Sequence, residues 1–319
     1  MILDKNNNTS PFVSIIIPLK NEEKYIELCL KSLISQQYSK DCFEIIVVDN
    51  GSTDKSLEIV KKYNVKIIYC LDGNIAKVRN VGTAAAKGEI LAFVDSDCVV
   101  SSNWLTEGVN ILNRPKVVAT GSGYKAPHNA TWVENAWLIE SKVEERFVKF
   151  VPCGNFIVKA SIFHEIGGFN ETLVTCEDAD ICERIVNSDY LIINSTKIES
   201  VHLRNPKKII DFMKKEIWYG SNMLSSLQNN IIDKTFIFTT AFYLSHIMIL
   251  LSLVWRTPFL YAGFILLQLL INAATIHRLV LSKKYKLYFH TLLLYYFYFL
   301  ARSVGVTIGI FRIFFPLKN

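Results

Sequence analysis

Asp95 and Asp97 stand one residue apart at the end of an apolar run, Leu91-Ala92-Phe93-Val94-Asp95-Ser96-Asp97. Two carboxylates at that spacing repel each other. A hard cation such as Mg²⁺ or Mn²⁺ relieves the repulsion, takes oxygen ligands and commonly shares its shell with substrate phosphates. The apolar run reads as a buried strand, and in an open α/β sheet ligands bind beyond the carboxyl ends of strands. An Asp-rich turn capping a following helix has the same composition. Taken alone, the motif leaves both readings standing.

The preceding residues must supply the elements that hold such a turn. Residues 12–17 are a β-branched apolar run, expected to be a strand ended by Pro18, and residues 22–37 place Ile26, Leu30, Leu33 and Ile34 on one helical face. A second strand over 44–48 leads into Asp49-Asn50-Gly51-Ser52-Thr53-Asp54 and a helix over 55–63. Ser52 or Thr53 is the expected N-cap, and Gly51 permits the tight turn. A third strand over 65–69 precedes a helix over 74–86, with Lys87-Gly88 as the expected C-cap. The fourth strand then delivers the Asp-Ser-Asp turn. This alternation predicts an α/β fold whose parallel sheet carries helices on both faces.

With these motifs in order, the chain resembles the family 2 glycosyltransferases of GT-A fold. Val13-Ser14-Ile15-Ile16-Ile17-Pro18-Leu19-Lys20-Asn21-Glu22 looks like the family's opening strand and loop, and residues 44–54 look like its second strand and nucleotide turn. Arg79-Asn80-Val81-Gly82 leads to Asp95-Ser96-Asp97 at the family's spacing. Gly154-Asn155-Phe156, Gly167-Gly168-Phe169-Asn170-Glu171 and Glu177-Asp178-Ala179-Asp180 look like its acceptor-side segments. The resemblance covers roughly residues 11–222. It implies a Rossmann-like, mostly parallel catalytic domain and inverting transfer of a sugar from a UDP- or GDP-sugar.

The roles it implies fall on particular residues. Asp97 holds a divalent Mn²⁺ or Mg²⁺ that neutralises the departing phosphate, and Asp95 reaches the ribose or shares the ion. His202, in Ser200-Val201-His202-Leu203, looks like a further metal ligand of some relatives; a histidine after a strand also serves structural roles. Arg79 approaches the nucleotide or diphosphate, where a guanidinium suits phosphate geometry. Pro18, Asn21 and Glu22 line the opening loop, while Asp49, Asn50, Ser52 and Ser96 complete the nucleotide-sugar site. Many relatives have two aspartates where this chain has Asp49-Asn50. Asp178 is the implied general base, with Glu177 contacting the acceptor and Asp180 left to ordinary helix-start chemistry.

Beyond residue 204 the character changes. In residues 205–228, Lys207, Lys208, Lys214 and Lys215 alternate with Ile209, Ile210, Phe212, Met213, Ile217 and Trp218. That composition suits a basic helix on an anionic membrane surface, or an amphipathic helix packed on the sheet. Residues 235–255 and 257–277 contain no Asp, Glu, Lys or Arg, and each is long enough to cross a hydrocarbon core about 30 Å thick. Arg256-Thr257-Pro258 would join them as a hairpin. The following basic residues Arg278, Lys283, Lys284 and Lys286 place their loop, and with it the catalytic domain, in the cytosol. Residues 287–315 are expected to be a third span or else an interfacial or re-entrant helix, giving two or three spans in all, and in a third span Arg302 either snorkels to the interface or touches a lipid phosphate.

The expected organisation is a polar tail (1–10), a catalytic domain (11–204), an interfacial helix region (205–230) and a membrane region (235–315). The tail lacks the apolar core of a signal peptide. The seven cysteines include no CxxC pair and read as reduced thiols, not a zinc site or disulfide framework. The net charge of +6 is assigned to lipid headgroups and anionic substrate, not to nucleic acid. The expected acceptor is a hydroxyl on a membrane-associated or lipid-linked glycan. Two other readings are a polyprenyl-phosphate sugar transferase resembling dolichyl-phosphate mannosyltransferase, which needs no base, and an inactive nucleotide-binding scaffold.

Overall fold

The computed structural model describes residues 10–138, 145–227, 234–256 and 259–314. The chain forms two compact units. One comprises Met1–Lys125, Val143–Thr172 and Cys176–Arg204, the other Ala126–Lys142, Leu173–Thr175 and Asn205–Asn319.

The first unit alternates strands and helices: β1 (Val13–Leu19), α1 (Ile26–Ile34), β2 (Phe43–Asp49), α2 (Ser56–Val60), β3 (Lys66–Tyr69), α3 (Ile75–Ala84) and β4 (Ile90–Val94). Then come β5 (Cys98–Val100), α4 (Trp104–Leu112) and β6 (Val117–Gly121). After α5 (Trp132–Trp137), which belongs to the second unit, the first resumes with β7 (Glu145–Val148), β8 (Asn155–Lys159), α6 (Ala160–Glu165), α7 (Glu177–Asn187), β9 (Leu191–Ser195) and β10 (Ser200–His202). The main sheet runs β3-β2-β1-β4-β8-β6-β9-β7. β1 to β4 are mutually parallel; β8 opposes both β4 and β6, and β7 opposes β9.

Every residue of β1 is buried, as expected of a strand covered on both faces. Its alternation divides the core. Ile15, Ile17 and Leu19 join Leu30, Leu33 and Trp104 on one face, while Ile16 joins Phe93, Phe156 and Phe163 on the other. Pro18 lies inside β1 and does not end it. Pairing with β4 stops at Ile16, so Pro18, which has no N–H to donate, stands in register with Val48 past that ladder.

Local boundaries differ from the sequence expectation for identifiable reasons. The first helix is shorter than 22–37, and Ile34 is exposed while Ile26, Leu30 and Leu33 are buried. Neither Ser52 nor Thr53 caps α2. The Ser52 hydroxyl accepts from Asn21 N at 3.1 Å and Thr53 N donates to Asn21 Oδ1 at 2.8 Å, so both tie the second loop to the first. Asp54 instead accepts from Ser56 N at 2.9 Å. Asn74 caps α3, accepting from Lys77 N, but the C-cap of that helix is Ala85 and not Lys87-Gly88. Gly88 answers a different demand, since a Cβ there would lie 2.5 Å from Ser14 N.

The second unit consists, among the described residues, of α5, α8 (Ile209–Leu227), α9 (Lys234–Trp255), α10 (Phe259–Ser282) and α11 (Tyr288–Phe314). Three stretches, Thr235–Trp255, Tyr261–Ser282 and Tyr285–Arg312, are long and apolar enough to cross a membrane. The second runs later than 257–277 because Leu279, Val280 and Leu281 carry the helix past Arg278. Thr257 and Pro258 of the expected turn lie outside the described residues. α8 does not stand alone. It meets α11 backbone to backbone, where a Cβ on Gly305 would lie 2.3 Å from Ile217 O. Close by, Arg302 Nε donates to Glu216 Oε2 at 2.7 Å. The charge of Arg302 is therefore met inside the helical unit.

Candidate active site

The carboxyl ends of β1, β2 and β4 open on a cleft of about 650 Å³ lined by Pro18, Asn21, Glu22, Asn50, Arg79, Asp95, Ser96, Asp97, Glu177 and His202. Lys20 and Arg204 also line it. Residues from distant parts of the sequence thus meet in one place, as the strand-end argument requires.

Charge in the cleft is organised around Arg79, which is only 4% exposed. Its Nη2 lies 3.0 Å from Asp95 Oδ1 and its Nη1 2.7 Å from Glu177 Oε1. The guanidinium carbon sits 5.5 Å from the ring centre of Phe169. Arg79 therefore bridges the acidic turn after β4 to the first turn of α7. A planar fork with fixed donors can hold two carboxylates in this way, which a lysine cannot.

Asp95, Asp97, Cys98 and His202 bring potential ligand atoms within 4.8 Å of one another. The two-stranded ribbon of β5 and β10 achieves this by setting His202 opposite Cys98. His202 Nε2 is 3.4 Å from Asp97 Oδ2, and Leu203 N donates to Asp97 O at 2.9 Å. Burial pushes the Cys98 thiol well above its ordinary range, so it remains protonated beside the carboxylates. Two carboxylates and one imidazole form a hard-to-borderline donor set that fits Mn²⁺ or Mg²⁺.

The acidic turn has a tight floor. A Cβ on Gly154 would come within 2.0 Å of Asp95 Oδ2 and 2.2 Å of Tyr124 Oη. Tyr124 Oη lies 3.4 Å from Asp95 Oδ2, and its ring packs edge-on against His202 at 4.9 Å. Glycine here gives Asp95 room beside the backbone of β8's approach.

The loops after β1 and β2 are braced by their own side chains. Asp49 accepts from Gly51 N at 3.1 Å and Ser52 N at 3.2 Å, shaping the turn. Asn50 donates to Cys70 O and Gly73 O and accepts from Lys20 Nζ at 2.9 Å. Asn21 is left-handed at φ 54, a conformation asparagine tolerates. Glu22 pairs with Arg204; burial still raises its carboxyl above the usual range. Asp49 and Ser52 thus shape the cleft from behind, while Asn21, Glu22 and Asn50 border it.

Glu177 and Asp178 begin α7 directly after Cys176, which is left-handed at φ 70. Asp178 Oδ1 accepts from Ala179 N at 2.8 Å. Burial, with the neighbouring Glu177 charge, raises the Asp178 carboxyl to about 6, against the opposing pull of Arg79. Asp180 pairs with Arg184 one turn on, a helix-surface ion pair.

Sequence reasoning missed Lys20, Tyr124 and Arg204. Arg204 follows His202 by two residues, and that spacing was the available signal. Tyr124 had none, because only the sheet order brings it to Asp95. Nearby in sequence, Trp132 and Trp137 lie on α5 and Arg146 on β7. Glu140 and Glu144 fall outside the described residues.

Comparison with known proteins adds the lineage of this arrangement. The family model for "Glycosyl transferase family 2" matches residues 14–169. The glycosyltransferase AglE of Haloferax volcanii is 30% identical over 232 residues, covering 68% of this chain and 74% of AglE. The poly(ribitol-phosphate) β-N-acetylglucosaminyltransferase TarS of Staphylococcus aureus is 40% identical over 106 residues, which span 31% of this chain and only 18% of TarS. Among solved structures, the mannosyltransferase PcManGT of Pyrobaculum calidifontis, in complex with GDP-Man and Mn²⁺, superposes with TM-score 0.62 at 20% identity, over 94% of this chain and 88% of that one. S. aureus TarS 1–349 with UDP-GlcNAc gives TM-score 0.51 at 22% identity, over 95% and 91% of the two chains. At such identities the superpositions speak for the fold.

Proposed function

The chain belongs to the family 2 glycosyltransferases, and on that premise we propose that it moves a sugar, with inversion, from a nucleotide-sugar donor to a hydroxyl of a membrane-associated or lipid-linked glycan. The observation that carries this reading is Arg79, which joins the acidic turn of Asp95 and Asp97 to the acidic turn of Glu177 and Asp178. One turn suits the donor diphosphate and the other the acceptor. The Mn²⁺ named with PcManGT and the nucleotide sugars named with PcManGT and TarS agree in kind with this assignment.

Asp95, Asp97 and His202 are the residues that would hold a Mn²⁺ or Mg²⁺, which supplies Lewis-acid relief of charge on the departing diphosphate. Asn21, Asn50 and Ser96 would bound the nucleotide side of the cleft, and Lys20 and Arg204, which also line it, would meet phosphate oxygens. Arg79 keeps Asp95 and Glu177 in place. Asp178 takes the proton of the acceptor hydroxyl, a task for which a carboxyl raised to about 6 is better matched than an ordinary aspartate. Glu177 orients the acceptor.

The apolar helices would anchor the enzyme in a bilayer. Lys283, Lys284 and Lys286, between α10 and α11, put that loop and the catalytic unit on the cytosolic side by the positive-inside rule. The product would then be an extended cell-surface glycan or polysaccharide precursor.

The test is transfer from a panel of UDP- and GDP-sugars to membrane-extracted lipids with Mn²⁺, comparing wild type with Asp97→Ala and Asp178→Asn. Loss in both variants, by at least about 10²-fold for Asp178→Asn, is expected for a hydroxyl acceptor. Loss in Asp97→Ala alone would replace that acceptor with a lipid phosphate, which needs no base. A wild-type protein that binds donors but releases no sugar would overturn the transferase reading.

A further inference from the structure

α10 and α11 carry Arg278, Arg302 and Arg312; the first two have their guanidinium groups held within the helical unit, and among the described residues only Arg302 is paired with a carboxylate. Arg302 of α11 is hydrogen-bonded to Glu216, with the Tyr219 and Tyr298 rings 5.0 and 5.1 Å from its guanidinium carbon. Arg278, near the end of α10, has neutral partners. Its Nη1 donates to Tyr295 Oη at 3.2 Å and its Nη2 to the Trp137 carbonyl, while its guanidinium carbon lies 4.3 Å from the Trp137 ring centre. Among the described residues, no carboxylate forms an ion pair with Arg278. Glu216 is near enough to feel its charge but is already bonded to Arg302. The aromatic group is continuous, since Trp137 and Tyr298 lie 5.1 Å apart. Among the described residues, one carboxylate, Glu216, therefore faces two guanidinium groups.

An arginine that merely escapes the bilayer extends a flexible stem into water. Arg278 is half-buried and fastened: a carbonyl and a phenol fix two of its donors, and the indole face fixes its plane. Of five guanidinium N–H groups, these bonds use two, leaving donors in a fork that matches a phosphate. Its place also fits. Arg278 lies four residues before the end of the apolar helix, and Lys283, Lys284 and Lys286 follow. If α10 crosses a bilayer, that end lies at the depth of the headgroups. A cation at that depth, paired with no carboxylate among the described residues, calls for an anionic partner.

We propose that Arg278, set by Trp137 and Tyr295, binds the phosphate of a membrane lipid. Two sources share this chemistry, a phospholipid headgroup and the phosphate of a polyprenyl-linked acceptor. The site rests on the bilayer reading of the helical unit and does not require that sugar transfer be observed.

Binding to the full chain in neutral maltoside micelles tests it, with bound lipid counted by native mass spectrometry. The probes are farnesyl phosphate against farnesol, and dihexanoyl phosphatidic acid against dihexanoylglycerol. Wild type should prefer at least one phosphate probe over its neutral partner by about tenfold or more. Preference for farnesyl phosphate identifies the acceptor as the source, and preference for phosphatidic acid identifies a structural lipid. Arg278→Gln should abolish the preference, and Arg278→Lys, which keeps charge without the fork, should retain part of it. Lys283→Gln/Lys284→Gln/Lys286→Gln should leave it intact. Equal binding of phosphate and neutral probes by wild type overturns the site, whatever the variants do. A preference lost in the triple lysine variant and kept in Arg278→Gln overturns it as well.

Discussion

Asp178 stands beside Glu177 in the first turn of α7, and burial with that neighbouring charge raises its carboxyl from 3.8 to about 6. Two consequences have opposite signs. As the proposed base, Asp178 would work only when ionised, so kcat/KM should rise with pH and level off above about 6, a limb that Asp178→Asn should abolish. As a folded-state group with a raised pKa, it stabilises the protein below about pH 4 relative to high pH, and that contribution is lost as pH rises through about 6. Asp178→Asn should therefore be more stable than wild type at pH 8, by about 1–3 kcal/mol, with the gap closing toward pH 4. Thermal unfolding across that range checks the sign, and equal melting temperatures at pH 8 would remove the argument from burial. The aspartates of this site were legible as residue types at a spacing. Their surroundings were not, because the place of Arg79 between Asp95 and Glu177 follows from packing. From sequence the arginine looked free to meet phosphate.

At the scale of elements, period and chemistry were readable while ends were not. The run ending in Val94 and the face of Ile26, Leu30 and Leu33 carried their own signals, and β4 and α1 form there. Caps failed where a side chain had a better use elsewhere, as when Ser52 and Thr53 bond Asn21 across loops. The antiparallel half of the sheet, and with it the route of Tyr124 to the site, depends on long-range pairing that no local pattern encodes. The contact of α8 with α11 is of the same kind. It rests on glycines whose spacing is unremarkable within either segment, yet a Cβ at Gly305 would press on Ile217 O and Gly220 Cα, atoms of backbone that cannot swing aside. Gly305→Ala should cost about 1–3 kcal/mol by overpacking. Gly123→Ala, with nothing within 4 Å of its added Cβ, is the neutral control. Comparable unfolding temperatures for the two variants would mean that the helices part freely at this point.

For the whole molecule, the question is which side of a bilayer the catalytic unit occupies, and the chain supplies its own reporter. All seven cysteines precede residue 204, and among them Cys176 is exposed, Cys42 half-buried and the other five buried. A membrane-impermeant maleimide should therefore label chiefly Cys176, next to the acidic turn of α7. Net charge could not decide the matter, since the positive-inside rule counts lysine and arginine in short loops and not the charge of a domain. The loop with Lys283, Lys284 and Lys286 predicts a cytosolic catalytic unit, where donor nucleotides are made and where thiols stay reduced. In intact cells the reagent should leave Cys176 unmodified; after permeabilisation it should modify wild type and largely spare Cys176→Ser. Labelling of intact cells would put the catalytic unit outside. The basic loop would then have to be explained by lipid contacts alone, and the donor by a supply of activated sugar on that face.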